Sequence, residues 1–372
     1  MAAGFSLKDQ LFNPQSIGQL AQEFAQALPS FDADAFSTRV LSGFEDRELM
    51  ARLEWIADCL EAQLSPDFEE MAEQLEAAMP DPLDPTLRDD DFGQFIHAAP
   101  GILAVRHGLE KHRARATALL YAATKRFSME FYIRPFLNRC PEHTLAQLHR
   151  WAEDENYHVR RLVSEGTRPK LPWAKAVDLT SDQTLPLLDK LHADPTRFVT
   201  RSVANHLNDL SKTEPDTVLK RLEEWQAIGK QGQKELAWMR RHGLRTLIKS
   251  GNTGAMAALG YKADAPLRAQ VAIENAELPI GDTLKFNATL VSETQTPVLV
   301  DYRIVFTRPN GRTGQKVFKL KQGVVGPAKP LHLSKSHRIK LDATTFKWYP
   351  GLHRLILQVN GVDRADAVFS IL

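Results

Sequence analysis

From Ser16 to about Gly260, apolar residues recur at intervals of three and four, as in IGQLAQEFAQAL, LMARLEWIADCLEAQL and FEEMAEQLEAAM. This spacing puts them on one face of a helix, so the region is predicted to be a succession of amphipathic helices. After Tyr261 the pattern changes to short alternating or β-rich runs: QVAIENAEL, TLKFNATLV, VLVDYRIVF, QKVFKL, HRIKL, HRLILQVNG and AVFSIL. Ile280-Gly281-Asp282, Pro309-Asn310-Gly311-Arg312 and Asn360-Gly361 punctuate them as turns. About seven short strands in roughly a hundred residues predict an immunoglobulin-like sandwich, here without the cysteine pair of antibody domains. Trp348-Tyr349-Pro350-Gly351-Leu352-His353 is a candidate tyrosine corner. The expected organisation is an all-α body over residues 1–262 followed by an all-β sandwich over 263–372.

The helical part repeats itself. LHRWAEDENYHVRRLVSEGTR from Leu148 aligns with LDKLHADPTRFVTRSVANHLN from Leu188, matching Asp154 to Asp194, Val159 to Val199 and Val163 to Val203 at an offset of 40. A further step reaches KELAWMRRHGLRTLIKSG, so Arg161, Arg201 and Arg241 recur at one register. A period near 40 with two helices per unit is that of HEAT-like repeats, which stack into a solenoid with a concave binding face. The three arginines are then expected to form a ladder suited to tracking phosphates. Between helices, MPDPLDPTLRDDD (Met79 to Asp91) is rich in proline and aspartate and is predicted to be a mobile surface connection.

The net charge of +1 conceals an uneven distribution. Residues 1–100 hold 5 Lys/Arg against 20 Asp/Glu, a balance of −15; residues 101–261 hold 26 against 17, or +9; residues 262–372 hold 16 against 9, or +7. A basic middle and end fit a polyanionic partner, with the acidic start facing away from it or bordering its edge; solvated helix faces account for the same numbers. The chain contains no run of roughly 20 apolar residues and no basic-then-apolar amino terminus, so a cytoplasmic protein is expected, nucleoid-associated when bound. Cys59 and Cys140 are far apart in unlike surroundings and suggest buried small residues rather than a disulfide or metal site.

Four places carry candidate chemistry. In His158-Val159-Arg160-Arg161-Leu162-Val163-Ser164-Glu165-Gly166-Thr167-Arg168, helical spacing puts Arg161, Glu165 and Arg168 on one face and turns Leu162 to the core. Glu165 is then flanked by two guanidinium groups, either as an ordinary salt bridge or as a functional acid. In the next repeat Asn205, Asn208, Asp209 and Lys212 share a face; an asparagine ladder between repeats explains Asn205, whereas Asp209 is harder to account for structurally. Trp173 follows the rigid Arg168-Pro169-Lys170-Leu171-Pro172 link and either packs between repeats or offers its ring to a cation, worth roughly 0.5–2 kcal/mol. Glu130, an acid among the aromatics of FSMEFYIRPF, is expected to pair with Arg134 four residues on.

At these residues the sequence resembles the AlkC family of bacterial alkylpurine DNA glycosylases, relatives of the AlkD-type HEAT-repeat glycosylases. The likeness runs from LKDQLFNPQSIGQLA and FDADAFSTRVL through MEFYIRPFL and is most specific at HVRRLVSEGTRPKLPWA, RSVANHLNDLSK and MRRHGLRTLIKSGN. It implies that Glu130, Glu165 and Asp209 are the candidate catalytic acids and Trp173 the aromatic partner of the lesion. It further implies DNA contacts from Arg160, Arg161, Arg168, Arg201, Lys212, Arg241 and Arg245. The implied reaction is release of a cationic alkylated base such as 3-methyladenine, with a carboxylate stabilising positive charge on the sugar and aligning water. Lys212 is the only lysine in the polar cluster, so a monofunctional hydrolase is expected rather than a Schiff-base enzyme. The expected partner is double-stranded DNA containing alkylated bases, with no cofactor, metal or membrane, and the chain acting as a monomer. The competing expectation is a HEAT-repeat scaffold that binds DNA or an acidic protein without catalysis.

Overall fold

The computed structural model describes residues 6–89, 91–308, 311–340 and 347–372. Helices run from Leu7–Leu11 to Thr253–Ala258 and strands from Leu267 onwards, giving an all-α region followed by an all-β one.

The repeat is visible in the helix bounds. Pro141–Trp151 is followed after 40 residues by Ser181–Leu191, and Tyr157–Gly166 by Arg197–Leu210. The aligned aspartates hold equivalent turns: Asp154 Oδ1 accepts from Asn156 N at 2.8 Å and Asp194 Oδ1 from Thr196 N at 2.8 Å. The first helix of interest then starts on Asn156, whose Oδ1 accepts from His158 N at 2.9 Å, satisfying one of the free N–H groups at its end. Val159, Leu162 and Val163 on one helix and Val199, Val203 and Leu207 on the next are fully buried, the predicted apolar stripe. Gly166 closes the first helix against Glu130–Arg139; a Cβ there would lie 2.5 Å from Ile133 Cγ2.

The chain packs as two units. One runs to Leu210 and includes Glu224–Met239; the other comprises Ser211–Glu223 and Arg240–Leu372. Secondary structure does change near the expected 262/263 boundary, but packing groups the last helices with the sandwich. Met256 and Tyr261, with Ile248 and Leu259, form a small apolar cluster with Leu299 of the sheet.

Among the described residues the β region has eight strands: β1 (Leu267–Ile273), β2 (Glu277–Leu278), β3 (Thr283–Ser292), β4 (Thr296–Thr307), β5 (Thr313–Val325), β6 (Leu331–Arg338), β7 (Gly351–Val359) and β8 (Val362–Ile371). They form sheets ordered β1-β3-β6 and β2-β8-β7-β4-β5, with Leu284, Phe286, Tyr302, Ile304, Leu355 and Phe369 in the core. The expected strand HRIKL lies further upstream, as β6, because Leu331 and Leu333 supply its inward face while Ser334-Lys335-Ser336 gave no apolar signal. At the candidate tyrosine corner, His353 Nε2 bonds the Tyr349 carbonyl at 2.9 Å. In the turn expected at 309–312, Pro309 and Asn310 lie outside the described residues; Gly311 takes φ 72° and its N–H donates to Arg308 O at 2.9 Å. Asn360 and Gly361 both take positive φ, and the Asn360 side chain also accepts from Leu299 N at 2.9 Å.

Charge blocks along the chain neutralise one another. Arg106 reaches Glu54, Asp58 and Glu61, while Arg115 bonds Glu76 and lies 3.7 Å from Glu69. Part of the acidic start is therefore the internal partner of the basic middle, and block charge overstates what is offered to a polyanion.

Candidate functional site

Helix Tyr157–Gly166 presents Arg161 and Glu165 from successive turns, and Arg168 follows directly after its end. Helix Glu130–Arg139 brings Glu130 to one side and helix Arg197–Leu210 brings Asp209 to the other. The result is an alternating string of five charges. Glu130 Oε2 accepts from Arg161 Nη1 at 2.7 Å. Arg161 Nη2 lies 3.9 Å from Glu165, whose Oε1 accepts from Arg168 Nη1 at 2.5 Å. Arg168 then donates from Nε and Nη2 to Asp209 Oδ2, at 2.9 and 2.8 Å. Three carboxylates alternate with two guanidinium groups, so these five side chains together carry one negative charge.

The acids are held by more than their ion pairs. Ser202 Oγ donates to Glu165 Oε2 at 2.6 Å, and Ser128 Oγ donates to Glu130 Oε2 at 2.7 Å. Arg161 also lies over the ring of Phe198, 4.4 Å from its centroid. Glu165 and Asp209 are buried and Glu130 half-buried. Burial alone raises the Glu165 carboxyl, but Arg161, Arg168 and the Ser202 hydroxyl outweigh it and hold Glu165 below the usual carboxylate range. Burial alone also lowers Arg161 and Arg168, yet Glu130 and Glu165 around the first, and Glu165 and Asp209 around the second, raise both. Glu165, Arg161 and Arg168 therefore keep their charges at neutral pH.

The expected Glu130–Arg134 pair is replaced by something else. Arg134 is fully buried and donates to the Gly166 carbonyl at 3.0 Å, the Arg168 carbonyl at 2.8 Å and the Lys175 carbonyl at 2.5 Å. The carbonyls at the end of helix Tyr157–Gly166 lack intrahelical partners, and a guanidinium satisfies several at once. Burial lowers the Arg134 pKa to about 10, which still leaves it charged. Its three bonds flank the turn that carries Trp173, and Asn138 adds a bond to the Ala176 carbonyl at 2.9 Å. Trp173 itself is 67% exposed with φ 61°, a left-handed conformation uncommon for a bulky residue. It does not pack between repeats. Its ring is presented to solvent on a turn clamped from below.

The remaining expected contacts fall in different places. Arg160 bonds Asp194 through Nε at 2.6 Å and the carbonyls of Asp154 and Glu155 through Nη1, so it ties adjacent repeats together instead of standing toward a ligand. Arg201 pairs with Asp89, from the segment predicted to be a mobile connection. That segment is tied down: Phe198 N donates to the Arg88 carbonyl at 3.1 Å, and Phe92, just past the segment and 51% exposed, meets Phe198 edge-on with centroids 5.1 Å apart. Asp90 within it lies outside the described residues. Lys212 follows helix Arg197–Leu210 in an exposed turn, and Lys212, Arg241 and Arg245 belong to the second unit. Asn208 is buried and Asn205 half-buried beside Asp209 on their helix. Cys59 is buried, its thiol pushed up to about 11 by desolvation, while Cys140 is only half-buried.

Residues 127–247 match the family model for DNA alkylation repair enzymes, and residues 268–372 match the model of the C-terminal Ig-like domain of an uncharacterised protein, YhaZ. The uncharacterised protein YhaZ of Bacillus subtilis (strain 168) is 31% identical over 97% of this chain and 98% of its own length. The chain belongs to the DNA alkylation repair enzyme family. Within it the likeness is to the AlkC type with a C-terminal Ig-like domain. The solved alkylpurine DNA glycosylase AlkC of Pseudomonas fluorescens, bound to DNA containing an abasic site analog, is 32% identical, with 99% of this chain and 100% of that one covered at a TM-score of 0.84. The five-charge string lies in the part of the chain matched by the alkylation-repair model; four of its members come from three of the helices in that part, and Arg168 lies just past the end of one of them.

Proposed function

We propose that this protein is a monofunctional DNA glycosylase that hydrolyses the N-glycosidic bond of cationic alkylated bases, 3-methyladenine among them, in duplex DNA. The observation that carries the reading is the string Glu130–Arg161–Glu165–Arg168–Asp209, in which three acids alternate with two guanidinium groups that fix them in place. An adenine alkylated at N3 is already positive and leaves neutral, so protonation of the leaving group is not needed. Positive charge instead builds on the sugar as the bond breaks, and a fixed carboxylate stabilises it and orients water.

The arginines solve the problem that goes with such a site. Three uncompensated carboxylates would repel the phosphates of any duplex brought near them, and would repel one another. Two guanidiniums reduce the excess to a single charge while fixing each acid in place. In this reading Arg161 and Arg168 orient the acids, Trp173 meets the cationic base by cation–π attraction, and Arg201 serves phosphate binding once freed from Asp89. Lys212, Arg241 and Arg245 contribute further phosphate contacts from the second unit. We expect the base to be released without full extrusion; a complex with the base enclosed in a protein cavity would contradict that part.

The test is chromatography of bases freed from N-methylated duplex, with strand scission and borohydride trapping run in parallel. Release of 3-methyladenine with intact strands and no trapped adduct supports the proposal. Tight binding to every duplex with no base released supports the scaffold alternative instead.

A further inference from the structure

The second unit contains a cavity of about 590 Å³, and the glycosylase reading uses none of its lining beyond Arg241 and Arg245. Six cations surround it: Arg241, Arg245, Lys249, Lys316, Lys319 and Lys335. All but Lys316 are exposed, and Lys316 is half-buried. The inner wall is of another kind, with Tyr261, Leu299 and Tyr302 each buried and Phe318 stacked on Tyr302 at 5.1 Å between centroids. One carboxylate stands among them. Asp301 is buried opposite Lys319 across the β4–β5 ladder, and desolvation pushes its pKa up to about 6. A volume of this size is that of a small-molecule site, and a cationic mouth over an aromatic wall with one fixed acceptor is chemically divided.

We infer that the cavity takes an unstacked nucleotide, its planar base against the aromatic wall and its phosphate at the cationic mouth. Cations alone would suit the backbone of a duplex, but they leave the aromatic wall without a function, since paired bases are stacked away inside the helix. An unpaired base has an open face to stack on Phe318 and N–H groups to donate to Asp301. The phosphate end meets converging positive charge in a partly enclosed space, where the attraction is stronger than on an open surface. The nucleotide is either free or part of a single strand, and the two sources share this chemistry. The inference does not depend on base excision, because the five-charge string and this cavity have no residue in common.

The test uses the full chain with two probes, deoxyadenosine monophosphate by calorimetry and a short single strand carrying one 2-aminopurine by fluorescence. Two variants are compared with the wild type: Lys316→Glu with Lys335→Glu, which reverses charge at the mouth, and Val317→Trp, which fills the cavity without changing charge. Thermal melting confirms that each is folded. Saturable binding of the mononucleotide at one equivalent, weakened about tenfold or more by both variants, establishes a site for free nucleotide. Binding of the strand alone, equally sensitive to both variants, assigns the nucleotide to a strand. If charge reversal weakens binding but Val317→Trp does not, only diffuse positive potential is acting and the inference is overturned. Absence of binding to either probe overturns it as well.

Discussion

Arg168 joins Asp209 to Glu165: its Nη2 lies 2.8 Å from the first carboxylate and its Nη1 2.5 Å from the second. The two acids come from different repeats, 44 residues apart in number, and this single cation is what keeps them from repelling each other. Removing one partner of a buried ionic network leaves charge uncompensated, which costs about 3–5 kcal/mol. Arg168→Ala is therefore expected to lower unfolding free energy by an amount in that range. Adding Glu165→Gln to it should restore part of the loss. Urea titrations of the single and double variants measure both.

Trp173 separates stability from function. Its φ of 61° strains a bulky side chain, whereas glycine adopts that conformation freely. Trp173→Gly is expected to leave stability unchanged or raise it by up to about 1 kcal/mol, while lowering release of cationic bases. A thermal melt beside a base-release assay checks both. A destabilised but fully active variant would remove the ring from the mechanism.

The turn under that ring depends on Arg134. Replacing it by methionine keeps the volume but orphans three carbonyls, at a cost of about 1–3 kcal/mol for each one left unsatisfied. We expect Arg134→Met to make the turn accessible to trypsin at Lys170 and Lys175 well before the rest of the chain. Mass spectrometry of the first fragments reports this.

Much of this arrangement is legible in sequence only where partners are close along the chain. Arg161, Glu165 and Arg168 fall together by helical spacing, and the offset of 40 places their helix correctly beside the next one. Partners contributed across helices are another matter. Four-residue spacing points Glu130 to Arg134, but the packing of helix Glu130–Arg139 beside helix Tyr157–Gly166 brings it to Arg161 and leaves Arg134 to cap a helix end. Ser202 had a signal that was readable: at the repeat offset it stands where the preceding unit has the core residue Leu162, and a hydroxyl in an apolar position needs a partner, here Glu165. The Asp89–Arg201 contact spans 112 residues, and no local pattern encodes it. Strand β6 lies upstream of the predicted HRIKL because its polar run looks like a loop until a neighbouring strand supplies the pairing.

The Asp89–Arg201 pair sets up a competition. Both side chains are partly exposed, so the pair contributes at most about 1 kcal/mol, equivalent to roughly a fivefold change in affinity. Asp89→Asn is expected to tighten binding to duplex DNA by up to that factor at low salt, with the advantage shrinking as salt rises. Fluorescence anisotropy across a salt series measures it.

Acid should weaken the fold through two buried histidines. Desolvation lowers His158 and His206 to about 4, against 6.5 in an unfolded chain. Between those values the unfolded chain takes up protons that the folded one refuses, so stability falls as pH drops from about 6.5 toward 4 and is fully present above 6.5. His206→Gln should flatten that slope in urea midpoints measured across the range.

The most direct test of the central claim is single-turnover release of 3-methyladenine by the wild type, Glu165→Gln and Asp209→Asn, with DNA affinity measured in the same samples. The account predicts release by the wild type, retained binding by both variants, and a fall of about a hundredfold or more in the rate for at least one of them, in line with loss of a fixed charge at a transition state. Unchanged rates in both variants, or a wild type that binds and releases nothing, would contradict it.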